Sequence, residues 1–342
     1  MEEKFYIVGC SQESDGGIYL YRRENGRSRL ENFTPVAGAN YLAFAGDRRT
    51  VYASGADAER NGYVAAFRVE TDGVLSFLNK VPTDGTACCH LCVSPDGRRL
   101  YAANYLSGSV AGFALEPDGR LGDLREFDQH RGHGVDTKRQ EGPHAHFTGF
   151  SPDGRFLLVN DLGLDLVFAY PYDMEHGIDC VGAVKNPVVP EGSGPRHLLF
   201  EPEGTCLLVT EMGNAIQRFA CADGVLTLRE SVSTLLEGTA IPSKAAAIRL
   251  SPDGKFVLAS NRGLDSTAVF ERRTLKRVFL GFCGGKSPRD FDFLADGRTV
   301  VVTNEFEPNV VVFDFDAQNG TLTPTGEVLA LPRPLCVMRT SK

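Results

Sequence analysis

Hydrophobic and polar residues follow a repeating order along this chain: a short apolar run, a polar turn with Pro, Asp or Gly, and a second apolar run. The clearest copy extends from His197 to Val209, with the turn Glu201-Pro202-Glu203-Gly204 at its centre. Pro and Gly supply the turn dihedrals, and aliphatic or β-branched residues on both sides suit strands buried on both faces. The pattern therefore predicts a β-hairpin.

The same hairpin recurs five more times. Its other turns lie at Gly46-Asp47, Ser94-Pro95-Asp96-Gly97, Ser151-Pro152-Asp153-Gly154, Ser251-Pro252-Asp253-Gly254 and Ala295-Asp296-Gly297. Further apolar runs follow the hairpins, with short polar turns between them, which predicts outer strands beyond each hairpin. Each repeat is therefore expected to form a four-stranded antiparallel sheet.

The two ends of the chain supply a seventh copy. Residues 334–338 look like a first strand with no strand after it, and residues 4–9 look like a second strand with no strand before it. Dividing 342 residues by seven gives about 49 residues per repeat, the size of a four-stranded propeller blade. We therefore predict an all-β, seven-bladed β-propeller formed by a single domain, residues 1–342, whose closing blade is shared by the N- and C-terminal strands.

Composition excludes several classes of function. A formal net charge of −8 disfavours nucleic-acid binding, which needs a basic surface. No apolar run approaches the roughly 18 residues of a membrane span, and the Met-Glu-Glu-Lys start does not resemble a signal peptide. Nine cysteines without regular spacing favour reduced, mostly buried thiols. We expect a cytoplasmic protein, and composition leaves its oligomeric state open.

Aligning the hairpins predicts a polar pocket. The start of the first strand and the end of the second strand meet at the same end of a hairpin. The residues at the starts are Asn40, Cys89, His146, Arg196, Ala246 and Arg289. The residues at the ends are Gly55, Asn104, Asp161, Glu211, Asn261 and Asn304. These polar and charged side chains are expected to surround one mouth of the propeller channel.

At this point the chain resembles the seven-bladed propeller lactonases, which include bacterial 6-phosphogluconolactonases and fungal carboxy-muconate lactonizing enzymes. The resemblance covers nearly the whole chain. Besides the Ser-Pro-Asp-Gly hairpins, it rests on Gly142-Pro143-His144-Ala145-His146, Gly194-Pro195-Arg196-His197, Thr210-Glu211 and Ser260-Asn261-Arg262. It implies a catalytic set of His146 (or its neighbour His144), Arg196, Glu211 and Arg262.

The two histidines have three interpretations. An imidazole titrates near pH ~6.5 and can accept a proton at neutral pH, so His146 suits a general base. His144 and His146 are two apart on a predicted strand, so their side chains share a face, as a metal pair would, but no third ligand stands at a matching spacing. Structural hydrogen bonding is the third interpretation. We expect neither a metal nor another cofactor.

The arginines have two interpretations. Arg196 and Arg262 either pair with Glu211 and Asp161, because buried carboxylates usually need partners, or bind the substrate's anion and the oxyanion formed at a lactone carbonyl. Arginines beside Glu211 favour its ionised form, which makes it a weak base and favours His146 for that task.

Other residues are expected to bind substrate. These are Asn104, His144, His197, Lys244, Arg289 and Asn304. Lys244, Lys286 and Arg289 lie at starts of first strands, where they form either a phosphate clamp or ordinary exposed charge. The segment 123–142 is either a solvated loop or a lid over the channel, since long loops in compact domains are often functional.

The sequence thus predicts a lactonase that hydrolyses a sugar lactone by direct attack of water. 6-Phosphogluconolactone, and with it the pentose phosphate pathway, is the substrate that the resemblance implies. The same residues would serve the reverse chemistry, in a carboxy-muconate-type cycloisomerase. A non-catalytic propeller that binds a small anion or a protein partner is the alternative from another class, because a fold alone implies no activity.

Overall fold

A computed structural model describes residues 3–340, and this part of the chain consists of strands and turns without an α-helix. Its 29 strands form seven antiparallel sheets that follow one another along the chain.

The strands before residue 130 are β1 (Glu3–Gly9), β2 (Gly17–Glu24), β3 (Arg27–Pro35), β4 (Ala39–Phe44), β5 (Thr50–Ala56), β6 (Asn61–Val69), β7 (Leu75–Thr86), β8 (Cys88–Val93), β9 (Arg99–Asn104), β10 (Ser109–Leu115) and β11 (Leu121–Gln129). The next two sheets contain β12 (Ala145–Phe150), β13 (Phe156–Asp161), β14 (Leu166–Asp173), β15 (Gly177–Ile178), β16 (Val184–Pro187), β17 (Pro195–Phe200), β18 (Thr205–Thr210), β19 (Ala215–Ala222) and β20 (Val225–Ser233). The remaining strands are β21 (Lys244–Leu250), β22 (Phe256–Arg262), β23 (Ser266–Glu271), β24 (Arg277–Phe282), β25 (Pro288–Phe293), β26 (Thr299–Asn304), β27 (Asn309–Asp316), β28 (Thr321–Ala330) and β29 (Pro334–Arg339).

Six sheets follow the chain strand by strand, and the seventh joins its two ends. That sheet has the order β29-β1-β2-β3, with Ile7 opposite Tyr19 on one side and Val337 on the other. The predicted closing blade, shared by the terminal strands, is confirmed. One sheet exceeds four strands, because both β15 and β16 pair with β14.

The seven sheets divide between two compact units. The first unit comprises Met1–Ala39, Asn214–Ile216 and Val232–Lys342, and it holds the closing sheet, β21–β24 and β25–β28. Its hydrophobic core lies between neighbouring sheets: Phe5 and Val337 of the closing sheet pack with Val301 of β26.

The second unit comprises Asn40–Gly213 and Gln217–Ser231, and it holds most of the other four sheets. Its core is built in the same way, since Tyr52 of β5 and Val64 of β6 pack with Leu100 of β9 and Phe113 of β10. The second and third strands of each sheet are mostly buried on both faces, which agrees with their continuous apolar runs.

The segment 123–142 is shorter as a connection than the sequence suggests. Its first seven residues belong to β11, whose alternating exposure marks it as the outer strand of its sheet. Gly122, Asp123 and other polar residues obscure the apolar side of this strand in the sequence. The true connection therefore begins at His130.

Candidate functional site

A β-bulge near the start of the first strand aims the candidate side chains. In β12, Ala145 pairs with Asp161 but Phe147 pairs with Asn160, so His146 is an extra residue in the ladder. The same interruption occurs at Cys89 in β8, Arg196 in β17 and Arg289 in β25. A bulge re-aims a side chain out of the regular alternation and is frequent beside active sites.

One hairpin is a residue shorter than the others, which changes the alignment of Glu211. Phe200 pairs with Cys206, six residues on, whereas the corresponding pairs elsewhere, such as Phe150 with Leu157, are seven apart. Thr210, which pairs with Pro195, therefore occupies the position of the Asn and Asp residues that end the other second strands. Glu211 lies one position further, and this corrects the alignment made from the sequence. Its equivalents are Tyr105, Leu162, Arg262 and Glu305.

Asn104 and Asn304, which were predicted to bind substrate, lie at the ends of strands β9 and β26. Asn104 is fully buried; its Oδ1 accepts a hydrogen bond from Thr83 Oγ1 (2.7 Å) and its Nδ2 donates to Ser109 Oγ (3.1 Å). Asn304 is also fully buried, and its Nδ2 donates to Asn309 Oδ1 (2.8 Å). This geometry favours structural roles for both residues, because their amides have no exposed surface.

Arg196, Glu211 and Arg139 form the charged part of the site. Arg196 Nε lies 3.3 Å from Glu211 Oε2, and Arg139 Nη2 lies 2.6 Å from Glu211 Oε1. The Arg196 and Glu211 side chains are only 2% and 3% exposed, whereas the Arg139 side chain is 33% exposed. Two guanidinium groups and one carboxylate leave a formal charge of +1, which suits an anionic ligand or a developing negative charge.

The turn before β17 fixes the position of Arg196 in that strand. The Asp165 carboxylate accepts hydrogen bonds from the backbone N–H groups of Gly192 (2.6 Å) and Gly194 (2.7 Å). Gly194 has φ +64° and its carbonyl accepts the Glu211 N–H (2.7 Å). Glycine adopts this left-handed backbone at the least cost, although Ala87 (φ +54°) and Ser287 (φ +63°) adopt it at the equivalent positions before β8 and β25.

His197 connects the charged groups to His146. Arg196 Nη1 lies 3.2 Å and 3.3 Å from the two ring nitrogens of His197, so the guanidinium rests against the imidazole. The ring centroids of His197 and His146 are 5.5 Å apart, in an edge-on arrangement. The opposite neighbour of His146 is the Tyr105 ring, at 5.4 Å. An imidazole and a buried guanidinium thus lie on either side of His197.

The two histidines of the Gly-Pro-His-Ala-His motif differ in their surroundings. His144 Nδ1 donates to the Tyr105 carbonyl oxygen (2.9 Å), and its Nε2 lies 3.3 Å from Glu141 Oε1. The His144 ring also stacks on Tyr105. His144 precedes β12 and His146 is bulged, so regular strand alternation does not place them on one face. This geometry favours a structural role for His144.

Of the rings that directly follow the residues aligned at the strand starts, the sequence analysis selected His197 and missed Tyr41, His90 and Phe147. Tyr41, His90, Phe147 and His197 occupy one aromatic cluster, with Tyr41 stacked on His90 at 4.1 Å. The Thr148 N–H donates to His90 Nδ1 (3.2 Å), so the proton of a neutral His90 ring lies on Nε2. The signal was present in the sequence, because each ring directly follows a residue already placed at a strand start.

In the first unit, the predicted cations Lys244, Arg262 and Arg289 lie at strand ends. Arg262 Nη2 donates to the Ala245 carbonyl oxygen (3.2 Å), and Lys244 is the exposed ladder partner of Arg262. Arg289 Nη1 lies 3.5 Å from Glu305 Oε2. Arg289 and Glu305 therefore repeat, in β25–β26, the arrangement of Arg196 and Glu211.

Glu305 has a second arginine as well, since Arg333 Nη2 lies 2.7 Å from Glu305 Oε1. Burial by itself raises the pKa of the Glu305 carboxyl, but the positive charge of Arg289 and the hydrogen bond from Arg333 outweigh burial and hold that pKa below its ordinary value of 4.5. The ionised carboxylate is thus stabilised in the folded state.

We expect the pH dependence of stability to show this. A carboxyl group whose pKa is lower in the folded protein than in the unfolded chain stabilises the fold. This stabilisation is complete above the unfolded pKa of 4.5 and is lost as the pH falls through the folded pKa. The free energy of unfolding of Glu305→Gln should therefore lie furthest below that of the parent at pH 7, and the gap should narrow below pH 4.5. Urea unfolding at pH 7 and at about pH 3 measures this difference in the free energy of unfolding. Glu70→Gln, at an exposed carboxylate, is the control, and a gap independent of pH would contradict the prediction.

Between residues 3 and 340, no group of three or more His, Cys, Asp or Glu side chains is placed to hold a metal ion. None of the nine cysteines, all of which lie in the described part of the chain, forms a disulfide bond. The described chain also contains no helix with the length and apolar character to cross a membrane.

Comparisons with known proteins bear on the family and the fold of the chain. The family described as "Lactonase, 7-bladed beta-propeller" matches residues 4–339. A 6-phosphogluconolactonase of Bacillus subtilis (strain 168) is 31% identical over 343 residues, which covers 97% of each chain.

Two solved structures of similar size superpose on the chain. The periplasmic gluconolactonase of Pseudomonas aeruginosa has a TM-score of 0.93 at 28% identity and covers 100% of this chain and 99% of its own. A protein from Lactobacillus plantarum has a TM-score of 0.89 at 28% identity, with 99% of both chains covered. Together with the seven antiparallel sheets, the family match confirms the predicted all-β, seven-bladed β-propeller. The chain belongs to the seven-bladed β-propeller lactonase family.

Proposed function

We propose that this protein hydrolyses a sugar lactone, preferentially 6-phosphogluconolactone, to the open hydroxy acid by direct attack of water. The observation that carries the proposal is the contiguous set of His146, His197, Arg196 and Glu211 at the starts of neighbouring hairpins. Such a set combines a proton acceptor with a buried cation, the two groups that attack on an ester carbonyl requires.

In the proposed reaction, His146 accepts a proton from water as the water oxygen bonds to the lactone carbonyl carbon. The Arg196 guanidinium donates hydrogen bonds to the oxyanion that forms on the carbonyl oxygen. When this intermediate collapses, the ring C–O bond breaks, and the leaving alkoxide takes the proton back from the His146 imidazolium. The products are a free hydroxyl group and a carboxylic acid, and the acid releases its proton to solvent at neutral pH to give the carboxylate.

Glu211 holds Arg196 in this scheme and does not act as the base. Its two carboxylate oxygens contact one guanidinium each, so neither faces a water molecule without a cation beside it. His197 supports the Arg196 guanidinium from the other side. An arginine packed between a carboxylate and a ring keeps one orientation, and preorganised donors stabilise an oxyanion without reorganisation during the reaction.

The choice of substrate rests on charge and on relatives. The cluster of Arg139, Arg196 and Glu211 has a formal charge of +1, which favours a phosphorylated sugar lactone. The Bacillus subtilis relative is named for 6-phosphogluconolactone, and the Pseudomonas aeruginosa relative for gluconolactone. With the phosphorylated substrate, the enzyme would act in the pentose phosphate pathway in the cytoplasm. Location remains a prediction, since one relative is periplasmic.

The test is acid release from freshly prepared 6-phosphogluconolactone and gluconolactone, measured against spontaneous hydrolysis with excess chelator present. We expect acceleration of both reactions, faster with the phosphorylated lactone, and a loss of at least about 100-fold in His146→Ala. The variant His133→Ala, at an exposed histidine, is the control. No turnover above background would exclude hydrolysis of these lactones. Turnover of muconolactone-type acids instead would favour the cycloisomerase.

A further inference from the structure

Arg139 lies on the connection between β11 and β12, and buried side chains fix both ends of this connection. At its start, the fully buried side chain of His130 has Nδ1 2.6 Å from Asp161 Oδ2 and Nε2 2.7 Å from the Tyr170 hydroxyl. The His130 ring also stacks on Phe168 at 3.9 Å. A polar group buried in this way is costly to displace, so the connection is anchored to the sheet that follows it.

The other end of the connection is fixed by Gln140, which is fully buried. Its Oε1 accepts the backbone N–H groups of Val135 and Asp136 (3.1 Å each), and its Nε2 donates to the Leu162 carbonyl oxygen (2.9 Å). The Asp136 carboxylate in turn accepts the Arg139 N–H (3.1 Å). The backbone at Arg139 is therefore positioned, although it belongs to neither strand.

The Arg139 side chain has hydrogen-bonding capacity left over. One terminal nitrogen contacts Glu211, while its Nε is buried and has no hydrogen-bond partner among residues 3–340. Its side chain is one-third exposed, in contrast to the almost completely buried Arg196. Arg139 is thus the member of the cluster that a ligand arriving from solvent meets first.

A partly exposed guanidinium group with unused donors can bind a planar or tetrahedral oxyanion. Its donors are arranged in a fork that matches a carboxylate or phosphate with two parallel hydrogen bonds. Both guanidinium groups contact Glu211 and share the net charge of +1, and Arg139 is the one of the two whose side chain is exposed to an arriving anion.

We propose that Arg139 is a specificity-determining residue that binds the anionic substituent, a phosphate or a carboxylate, of the lactone. This inference rests on the proposed function. It assigns a residue outside the set formed by His146, Arg196 and Glu211 to the part of the substrate that does not react.

The experiment compares Arg139→Ala with the parent on lactones that differ only in the anionic substituent. In Arg139→Ala, kcat/KM for 6-phosphogluconolactone should fall about 10- to 100-fold, and kcat/KM for gluconolactone should change less than about 3-fold. Lys138→Ala removes the same charge from the exposed neighbour and should leave both values unchanged. The kcat/KM of Arg139→Lys for 6-phosphogluconolactone should lie between the values of the parent and Arg139→Ala, because lysine keeps the positive charge but lacks the forked pair of donors. Measuring kcat/KM for a lactone with a carboxylate in place of the phosphate shows which of the two anions Arg139 binds better.

Equal losses on the charged and neutral lactones would overturn the proposal, because Arg139 would then act through Glu211 on the reaction itself. If the parent turns over neither lactone, the proposed function fails. Calorimetry of 6-phosphogluconate binding then tests whether Arg139 binds the anionic substituent. Binding by the parent and by Lys138→Ala but not by Arg139→Ala would support the anion site. No binding, or equal binding by all three proteins, would overturn it. Equal melting temperatures of the three would show that the variants are folded.

Discussion

Deleting residues 334–342 is expected to leave little or no folded protein at 37 °C. The deletion removes β29, whose Leu335, Cys336 and Val337 are buried and whose backbone pairs with β1. Burial of two large aliphatic side chains contributes about 1.5–3 kcal/mol each, and the lost ladder adds about 1 kcal/mol per hydrogen bond. The sum, on the order of 5–10 kcal/mol, is comparable to the whole stability of an ordinary domain.

Thermal unfolding followed by circular dichroism measures this effect. The matched control removes only residues 341 and 342, beyond β29, and should melt with the parent. Val337→Asp, which places a charge where Val337 packs against Val301, should lower the melting temperature in the same direction. A protein lacking residues 334–342 that melts with the parent would show that the terminal strands do not stabilise the fold.

Arg196→Ala is expected to reduce kcat/KM for the preferred lactone about 100- to 1,000-fold, as removal of an oxyanion donor does in other enzymes. The expectation follows from its position between Glu211 and His197, where water is excluded and a hydrogen bond to developing charge is strong. Arg155→Ala, at an exposed arginine outside the site, is the control and should keep the parent's activity.

Loss of folding must be separated from loss of catalysis in this variant. Arg196→Ala leaves the buried Glu211 carboxylate with one cation fewer, which destabilises the protein. The double variant Arg196→Ala with Glu211→Gln removes that unbalanced charge and should recover melting temperature without recovering activity. Full activity in a folded Arg196→Ala protein would exclude Arg196 from the reaction.

The fold could be predicted because its signals are local. Each hairpin combines two apolar runs with a Pro-Asp-Gly type of turn, and repeating that unit forces a series of similar sheets. The pairing of β29 with β1 followed from counting unpaired strands at the two ends. Strand β11 was missed because its polar residues, such as Asp123 and Arg125, mask an alternation that only the structure makes visible.

The site could be predicted only in part. His146, Arg196 and Glu211 were found because each stands at an end of a recognisable hairpin, and the structure does bring them together through His197. Arg139 was not selected, since its contact with Glu211 joins residues 72 positions apart through a connection without a repeating pattern. Glu211 was aligned with Asn104, although its true equivalent is Tyr105, because the β17–β18 turn is one residue shorter than the others and the sequence does not show this difference in register.

The repeated bulge separates the residues that fold this protein from those that give it chemistry. At Cys89, His146, Arg196 and Arg289 the ladder resumes one residue later, so the identity of the extra side chain is of little consequence to strand pairing. Such positions can hold different side chains in different sheets, while the strands around them are constrained by burial. A thiol, an imidazole and two guanidinium groups thus stand on the same local backbone, so chemical function varies from sheet to sheet while strand pairing does not.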